Sequence, residues 1–369
     1  MAPRDRSSRD DAPGMRIGSF VGVPVFIGWT WLILAAGLTW LFGAPHTADL
    51  GLLGYAVGLA IAVGLLVSVL VHEAAHALSA RAFGLRVRRI VADLMGGHTA
   101  FEGRTTPWSQ GVTGLSGPLA NLVLAGLFFA VALVLGDGVT GFVVARLAVI
   151  NLLLAVFNLL PGLPLDGGQV LMAAVWRLTG SAHTASVVAG WSGRVVAVIV
   201  VLVFLGAPML DGTRPSLFNI LIIVLIASFL WRGATQAIAV GHARRRLSRV
   251  EIGQILRPVT MVPADAPVAT WFQGSDRAYV TVGADGHPEA IVRADALAAV
   301  PREQWDRVPA SAVAATAPAH WVREVDEPPT AELVLSLLAQ SGASVLLIVH
   351  GGAVAGIVFA ADAMRALGQ

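Results

Sequence analysis

The chain has 369 residues, of which 56% are hydrophobic and 13% charged, with a mean hydropathy of +0.74; this composition places most of it in lipid and excludes an ordinary soluble enzyme. It contains no cysteine, so disulfides, thiolate metal sites and cysteine nucleophiles are excluded, and any transition metal must be held by His and carboxylate. All 25 basic residues are Arg and the net charge is only +2, which argues against a nucleic-acid partner.

Residues 1–15, MAPRDRSSRDDAPGM, are polar and lack the apolar core of a removable signal peptide, so they read as a flexible cytoplasmic leader. Apolar runs long enough to cross a bilayer fall near 26–43, 54–80, 112–135, 141–160, 187–207 and 215–232. Six spans put both termini on one side. Arg4, Arg6, Arg9 and Arg16 precede the first span, Arg81 to Arg104 follow the second, Arg177 follows the fourth, and Arg232 to Arg246 follow the sixth. Basic residues are retained in the cytoplasm, so both termini are expected there in a multi-pass protein of the cell membrane.

Between the second and third spans, residues 85–103 are rich in β-branched residues and have poor helical periodicity. They predict a hairpin at the membrane edge with its turn at Gly96-Gly97. Non-helical backbone at that depth is tolerated only where it lines a cavity or packs on protein, which makes the hairpin a candidate rim of a site and His98 a candidate lining residue. After about residue 245 the chain turns into a soluble α/β module. A strand-turn-strand-helix order appears at 278–300 and again at 344–367, and 330–340 has helical apolar periodicity.

The chemistry concentrates in the second span. His72, Glu73 and His76 form an HExxH pattern; on a helix, residues four apart share a face, so both imidazoles reach one metal ion and Glu73 is suited to take a proton from water there. Ionisable groups inside a membrane span are costly, and three within five residues point to function. His72 lies roughly 14 Å along the helix from Arg81, which marks the cytoplasmic boundary. A catalytic zinc takes three protein ligands. The best candidate for the third is Asp166 in NLLPGLPLDGGQVL, where the fourth span breaks at Pro161, Gly162 and Pro164. Gly117 and Asn121 are four apart, and a small residue on such a face allows close helix contact while an Asn in lipid needs a partner.

HEAAH at 72–76, SGPLAN at 116–121 and NLLPGLPLDG at 158–167 together resemble the site-2 protease family of intramembrane zinc metalloproteases. The resemblance covers residues 16–232. It implies a single catalytic zinc on His72, His76 and Asp166, with Glu73 as general base. It further implies that Asn158 and Pro164 seat an unwound substrate, that Gly117 and Asn121 pack the third span on the catalytic helices, and that the region containing Gly96 and Gly97 offers an edge strand to the substrate. A single-span membrane protein of the anti-sigma or pro-sigma type is the implied substrate.

The tail resembles a tandem cystathionine-beta-synthase (CBS) pair, as in one bacterial branch of that family. The resemblance implies an adenine nucleotide at Asp295 and Asp362, but where the module usually carries Thr or Ser shortly before that aspartate, this chain has Arg293 and Phe359. A pair that forms a homodimer or docks substrate is the equal alternative. The expected fold is therefore a polytopic α-helical membrane protein of about six transmembrane helices with a membrane-associated β-hairpin, followed by a cytoplasmic α/β tandem CBS-like module. Its boundaries are a leader at 1–15, a transmembrane metalloprotease domain at 16–235, a linker at 236–250 and a regulatory domain at 251–369. A competing function is a membrane metal-ion transporter or sensor gated by the tail; transport calls for polar residues on several spans, and the first, fifth and sixth offer almost none. An inactive scaffold is the third reading.

Overall fold

The structure is a computed structural model that describes residues 14–368 apart from 94–95, 211, 213 and 248–250. All of the expected leader before Gly14 lies outside the described residues. The chain divides into two units, Met1–His242 and Ala243–Gln369.

The first unit begins with a hairpin that goes beyond the expected elements. β1 (Met15–Phe20) and β2 (Val23–Ile27) pair antiparallel around Val21-Gly22, both at positive φ (48° and 80°), the twist that a two-residue hairpin loop needs. Each arm is short and the second runs straight into an apolar span, so its alternation is hidden. β2 then pairs in parallel with β3 (Arg86–Asp93), and β3 pairs antiparallel with β4 (Gly96–Glu102), giving the order β1-β2-β3-β4. The hairpin expected at 85–103 is therefore present, but its turn is not Gly96-Gly97. Both glycines lie inside β4, opposite Asp93 and Ala92.

Five helical runs among the described residues are long and apolar enough to cross a membrane: Trp29–Ala82, Pro107–Leu135, Val139–Asn158, Ala182–Leu210 and Leu217–Leu247. The expected count was six. The difference lies in the first run, where α1 (Trp29–Gly43) and α2 (Gly54–Ala82) are joined by helical turns at 44–53 and fold back on one another. α3 (Pro107–Leu135) starts at a capping box between Thr106 and Ser109, and α4 (Val139–Asn158) packs against it.

The chain leaves helix at Leu159 and re-enters it at Asp166, the first residue of the amphipathic α5 (Asp166–Thr179). That break packs on α6 (Ala182–Val201), where Leu163 N–H donates to Ala189 O at 3.1 Å. Gly193 makes the approach possible, since any Cβ there would overlap the Leu163 carbonyl. α7 (Leu217–Leu247) runs without interruption through most of the stretch expected as a linker. The helix continues because Ala234 and Ile238 stay buried and Ser186 Oγ donates to Ala237 O at 2.9 Å. The sheet lies on one face of α2, with Val23, Val25, Ala77 and Ile90 in one cluster and Trp31, Leu65, Val69 and Ala92 in the next.

The second unit holds two four-stranded sheets. In the first, β6 (Val259–Pro263), β7 (Ala278–Val282), β8 (Pro288–Val292) and β9 (Ala314–Thr316) lie in that order; in the second, the order is β10 (Val322–Val325), β11 (Val345–His350), β12 (Ala353–Phe359) and β5 (Leu256–Arg257). The strand-strand-helix repeat is present as β7-β8-α8 (Ala294–Ala298) and β11-β12-α10 (Ala360–Gly368). Each half lends a short strand to the other: β5 completes the second sheet and β9 the first. The helix expected at 330–340 is α9 (Ala331–Ser341), capped by Thr330 and ended by Gly342 at φ 60°.

Candidate metal centre

One turn of α2 separates His72 from His76, and both are buried, as is Glu73. The two imidazole Nε2 atoms lie 3.0 Å apart. Asp166, at the first turn of α5, closes the group: its Oδ2 is 3.1 Å from His72 Nε2 and its Oδ1 is 3.4 Å from His76 Nε2. Ligands about 2.0–2.1 Å from a tetrahedral zinc stand about 3.3 Å from one another, so the three donors have the spacing of a zinc set. Among the described residues, His72, Glu73 and His76 also form a cluster whose ligand atoms lie within 4.8 Å.

The partners of the remaining ring nitrogens decide which atoms would face a metal ion. His76 Nδ1 donates to the Thr113 carbonyl at 2.7 Å, and His72 Nδ1 donates to Asn121 Oδ1. With both Nδ1 atoms protonated, each Nε2 keeps its lone pair, the usual way an outer hydrogen bond orients a metal-binding imidazole. Gly117, between Thr113 and Asn121 on α3, faces both rings. A Cβ on it would stand 2.5 Å from His72 Nε2 and overlap His76 Nε2. Gly117 and Asn121 lie where α3 meets α2, and both stand against the histidines themselves.

Glu73 faces β4. Thr99 Oγ1 donates to Glu73 Oε2 at 2.7 Å, and a Cβ on Gly97 would overlap the Glu73 carboxylate. Gly97 therefore answers to a close approach and not to a turn, while Gly96 answers to its positive φ of 115°. His98 points to the opposite face of the strand, half exposed, with its Nδ1 3.9 Å from Asp93 Oδ2, so it does not line the site as expected. A cavity of about 310 Å³ opens beside the donors. Its walls include His72, Glu73, Gly96, Gly97, Asn158, Pro164 and Asp166, with apolar surface from Trp31, Leu65, Phe157 and Phe229. Thr99, Thr113 and Asn151 are the functional positions that sequence reasoning missed. Thr99 and Thr113 carry no signal of their own, whereas Asn151 is a polar residue inside an apolar span.

In the second unit, Asp295 and Asp362 stand at the starts of α8 and α10, and both are already engaged. Arg293 Nε donates to Asp295 Oδ1 at 3.0 Å, while Arg257 Nε donates to Asp362 Oδ2 at 2.7 Å and Arg365 joins it. The Arg293 guanidinium holds the Asp295 carboxyl below the usual carboxylate range. The carboxylate oxygens that would accept from ribose hydroxyls are thus already paired with the chain's own arginines.

Comparison with known proteins gives a consistent picture. The description "Peptidase family M50" matches residues 60–144 and 137–203. The putative zinc metalloprotease sll0528 of Synechocystis is 28% identical over 80% of both chains. Among solved structures, the site-2 protease from Methanocaldococcus jannaschii is 22% identical, covers 61% of this chain and 94% of its own, and has a TM-score of 0.45. The CBS domain of a bacterial CNNM/CorC family Mg2+ transporter, solved with ATP, is 16% identical, covers 34% of this chain and 92% of its own, and has a TM-score of 0.24.

Proposed function

Because the chain belongs to peptidase family M50, as a multi-pass intramembrane zinc metalloprotease of the site-2 type, we propose that a single catalytic zinc on His72, His76 and Asp166 works with Glu73 as general base to cut a single-span membrane protein in or near its transmembrane segment. The observation that carries this reading is the zinc-like spacing of His72, His76 and Asp166, beside a cavity that His72, Asp166, Glu73 and the edge strand β4 line together. Zinc, when bound, supplies Lewis-acid polarisation and acidifies water. Glu73, fixed by Thr99, takes the water proton and returns it to the leaving amine.

A protease holds its substrate extended, and among the described residues β4 has one side without a partner strand in the sheet. A substrate that unwinds adds there as a further strand through backbone hydrogen bonds, with Gly96 and Gly97 leaving room beside Glu73. Asn158 and Pro164 line the far wall and seat the unwound segment. An anti-sigma or pro-sigma factor type of substrate, with both termini of this chain in the cytoplasm, completes the reading. The orientation is supported by the Arg pattern. The tail is a regulatory module. Its arginine-paired aspartates favour a docking or homodimerising role over adenine-nucleotide binding.

Fragments of membrane proteins compared between cells carrying wild type and Glu73→Gln test the reading. Uncut single-span proteins accumulate in the variant. Identical fragment patterns would remove the protease reading.

A further inference from the structure

A chain of buried polar side chains leads away from His72 and does not end at Asn121. Asn121 Nδ2 donates to Asn151 Oδ1 at 2.8 Å; Asn151 Nδ2 donates in turn to Ser68 Oγ at 2.9 Å and to the Leu147 carbonyl at 2.8 Å. Ser68 Oγ donates to Gly64 O at 2.9 Å. Asn121 and Asn151 are fully buried and Ser68 is 1% exposed. Three helices contribute: Ser68 and His72 from α2, Asn121 from α3 and Asn151 from α4.

The direction of these bonds matters. An amide can present either its oxygen or its nitrogen, and only its partners decide which. Asn151 cannot turn its oxygen away from Asn121, because its own nitrogen is held by two acceptors, Ser68 Oγ and Leu147 O. Asn121 must therefore give Asn151 its nitrogen and present its oxygen to His72 Nδ1. That oxygen accepts the Nδ1 proton and leaves Nε2 with its lone pair toward the metal. With the Asn151 oxygen removed, the Asn121 amide is free to turn over. Its NH2 would then favour the tautomer of His72 with the proton on Nε2, which cannot bind zinc.

We propose that Asn151 is a positioning residue for zinc binding, fixing the His72 tautomer through Asn121. This rests on the zinc-centre reading above. Outer hydrogen-bond partners of metal ligands are worth about 10–100-fold in affinity, and Asn151 acts one bond farther out through a partner with no alternative orientation.

The test is zinc affinity of the purified full chain, measured by competition with a chelator. Asn151→Leu, close to Asn in volume, and Asn151→Ser, too short to reach Asn121, are each expected to weaken zinc about 10-fold or more. Asn151→Asp, protonated in this buried site and donating to Leu147 O, keeps an oxygen facing Asn121 and is expected to weaken zinc less than Asn151→Leu does. In an Asn121→Ala background, Asn151→Leu is expected to cost nothing further, because the two residues act through one bond. Zinc affinity retained in whichever loss variant folds, equal weakening in Asn151→Asp and Asn151→Leu, or independent effects of Asn121→Ala and Asn151→Leu would each overturn the proposal. Absence of zinc binding in the wild type would instead overturn the zinc-centre reading itself.

Discussion

Carboxylates serve both halves of the chain, under opposite conditions. In the membrane unit Glu73 is 3% exposed and the Asp166 side chain 13%, and each meets neutral partners: imidazoles, a threonine hydroxyl and, behind His72, two asparagines and a serine. In the tail, the Asp295 side chain is 67% exposed and answers to an arginine at 58%. A buried polar group without a partner costs several kcal/mol in a medium that offers no water, whereas an exposed ion pair is worth about 0–1 kcal/mol. The membrane unit therefore needs a continuous, directed set of hydrogen bonds. The tail uses ion pairs whose arginines reach solvent, so the loss of one costs little.

That contrast predicts a graded series of effects. The largest belong to the centre itself. Asp166→Ala is expected to abolish cleavage and bring zinc to background by elemental analysis, while Glu73→Gln lowers cleavage by roughly 10²–10⁴-fold and keeps stoichiometric zinc. Stoichiometric zinc in Asp166→Ala would remove that residue from the ligand set. Next come the two glycines, which separate metal from base. Gly117→Ala drives a methyl between the two Nε2 atoms and should lose zinc, whereas Gly97→Ala presses on Glu73 and should lower kcat with zinc retained. Equal zinc content in the two variants would show that the close approaches do not divide the site in this way.

In the tail the effects are smaller. Asp362 is buried, but its partners Arg257 and Arg365 are 44% and 72% exposed, so Asp362→Ala is expected to destabilise the tail by about 1 kcal/mol or less. Hydrogen exchange across residues 345–368 reads this, with zinc content unchanged. The smallest effect is on pH. The carboxyl of Asp295 is held below the usual carboxylate range by Arg293, so its contribution is fully present above the ordinary carboxylate pKa of about 3.9 and is lost only as pH falls through the lowered value. Its carboxyl carbon resonance should titrate below that of a free aspartate, and Arg293→Ala should return it to the ordinary range.

The legible and illegible parts of the protein divide along the range of the interactions. The helical register that puts His72 and His76 on one face is local, and the Pro161-Gly162-Leu163-Pro164 interruption announces its own break. The tail's repeat is visible because each strand-strand-helix unit is contiguous, but the exchange of β5 and β9 between the halves joins segments about a hundred and about twenty residues from their partners and leaves no local trace. Gly96-Gly97 read as a turn because two adjacent glycines usually make one; the side chain that forbids a Cβ at Gly97 is on another element. The first two spans read as separate because the apolar pattern drops at 44–53, and the chain does fold back there through helical turns, so α1 and α2 are distinct helices.

The sequence by itself determined that this is a membrane chain, that a metal could be held by His72 and His76 with Glu73 beside them, and that Asp166 sits at a broken span. Those properties follow from composition and from the 3.6-residue period, which act within a few turns of chain. Only the tertiary structure decided that Asp166 reaches the two histidines, that Thr99 and Gly97 of an edge strand abut Glu73, and that Asn121 and Asn151 orient His72. Each depends on hydrogen bonds and close approaches between separate elements, and their positions are set by how whole helices and a sheet pack, not by any residue's neighbours in the chain.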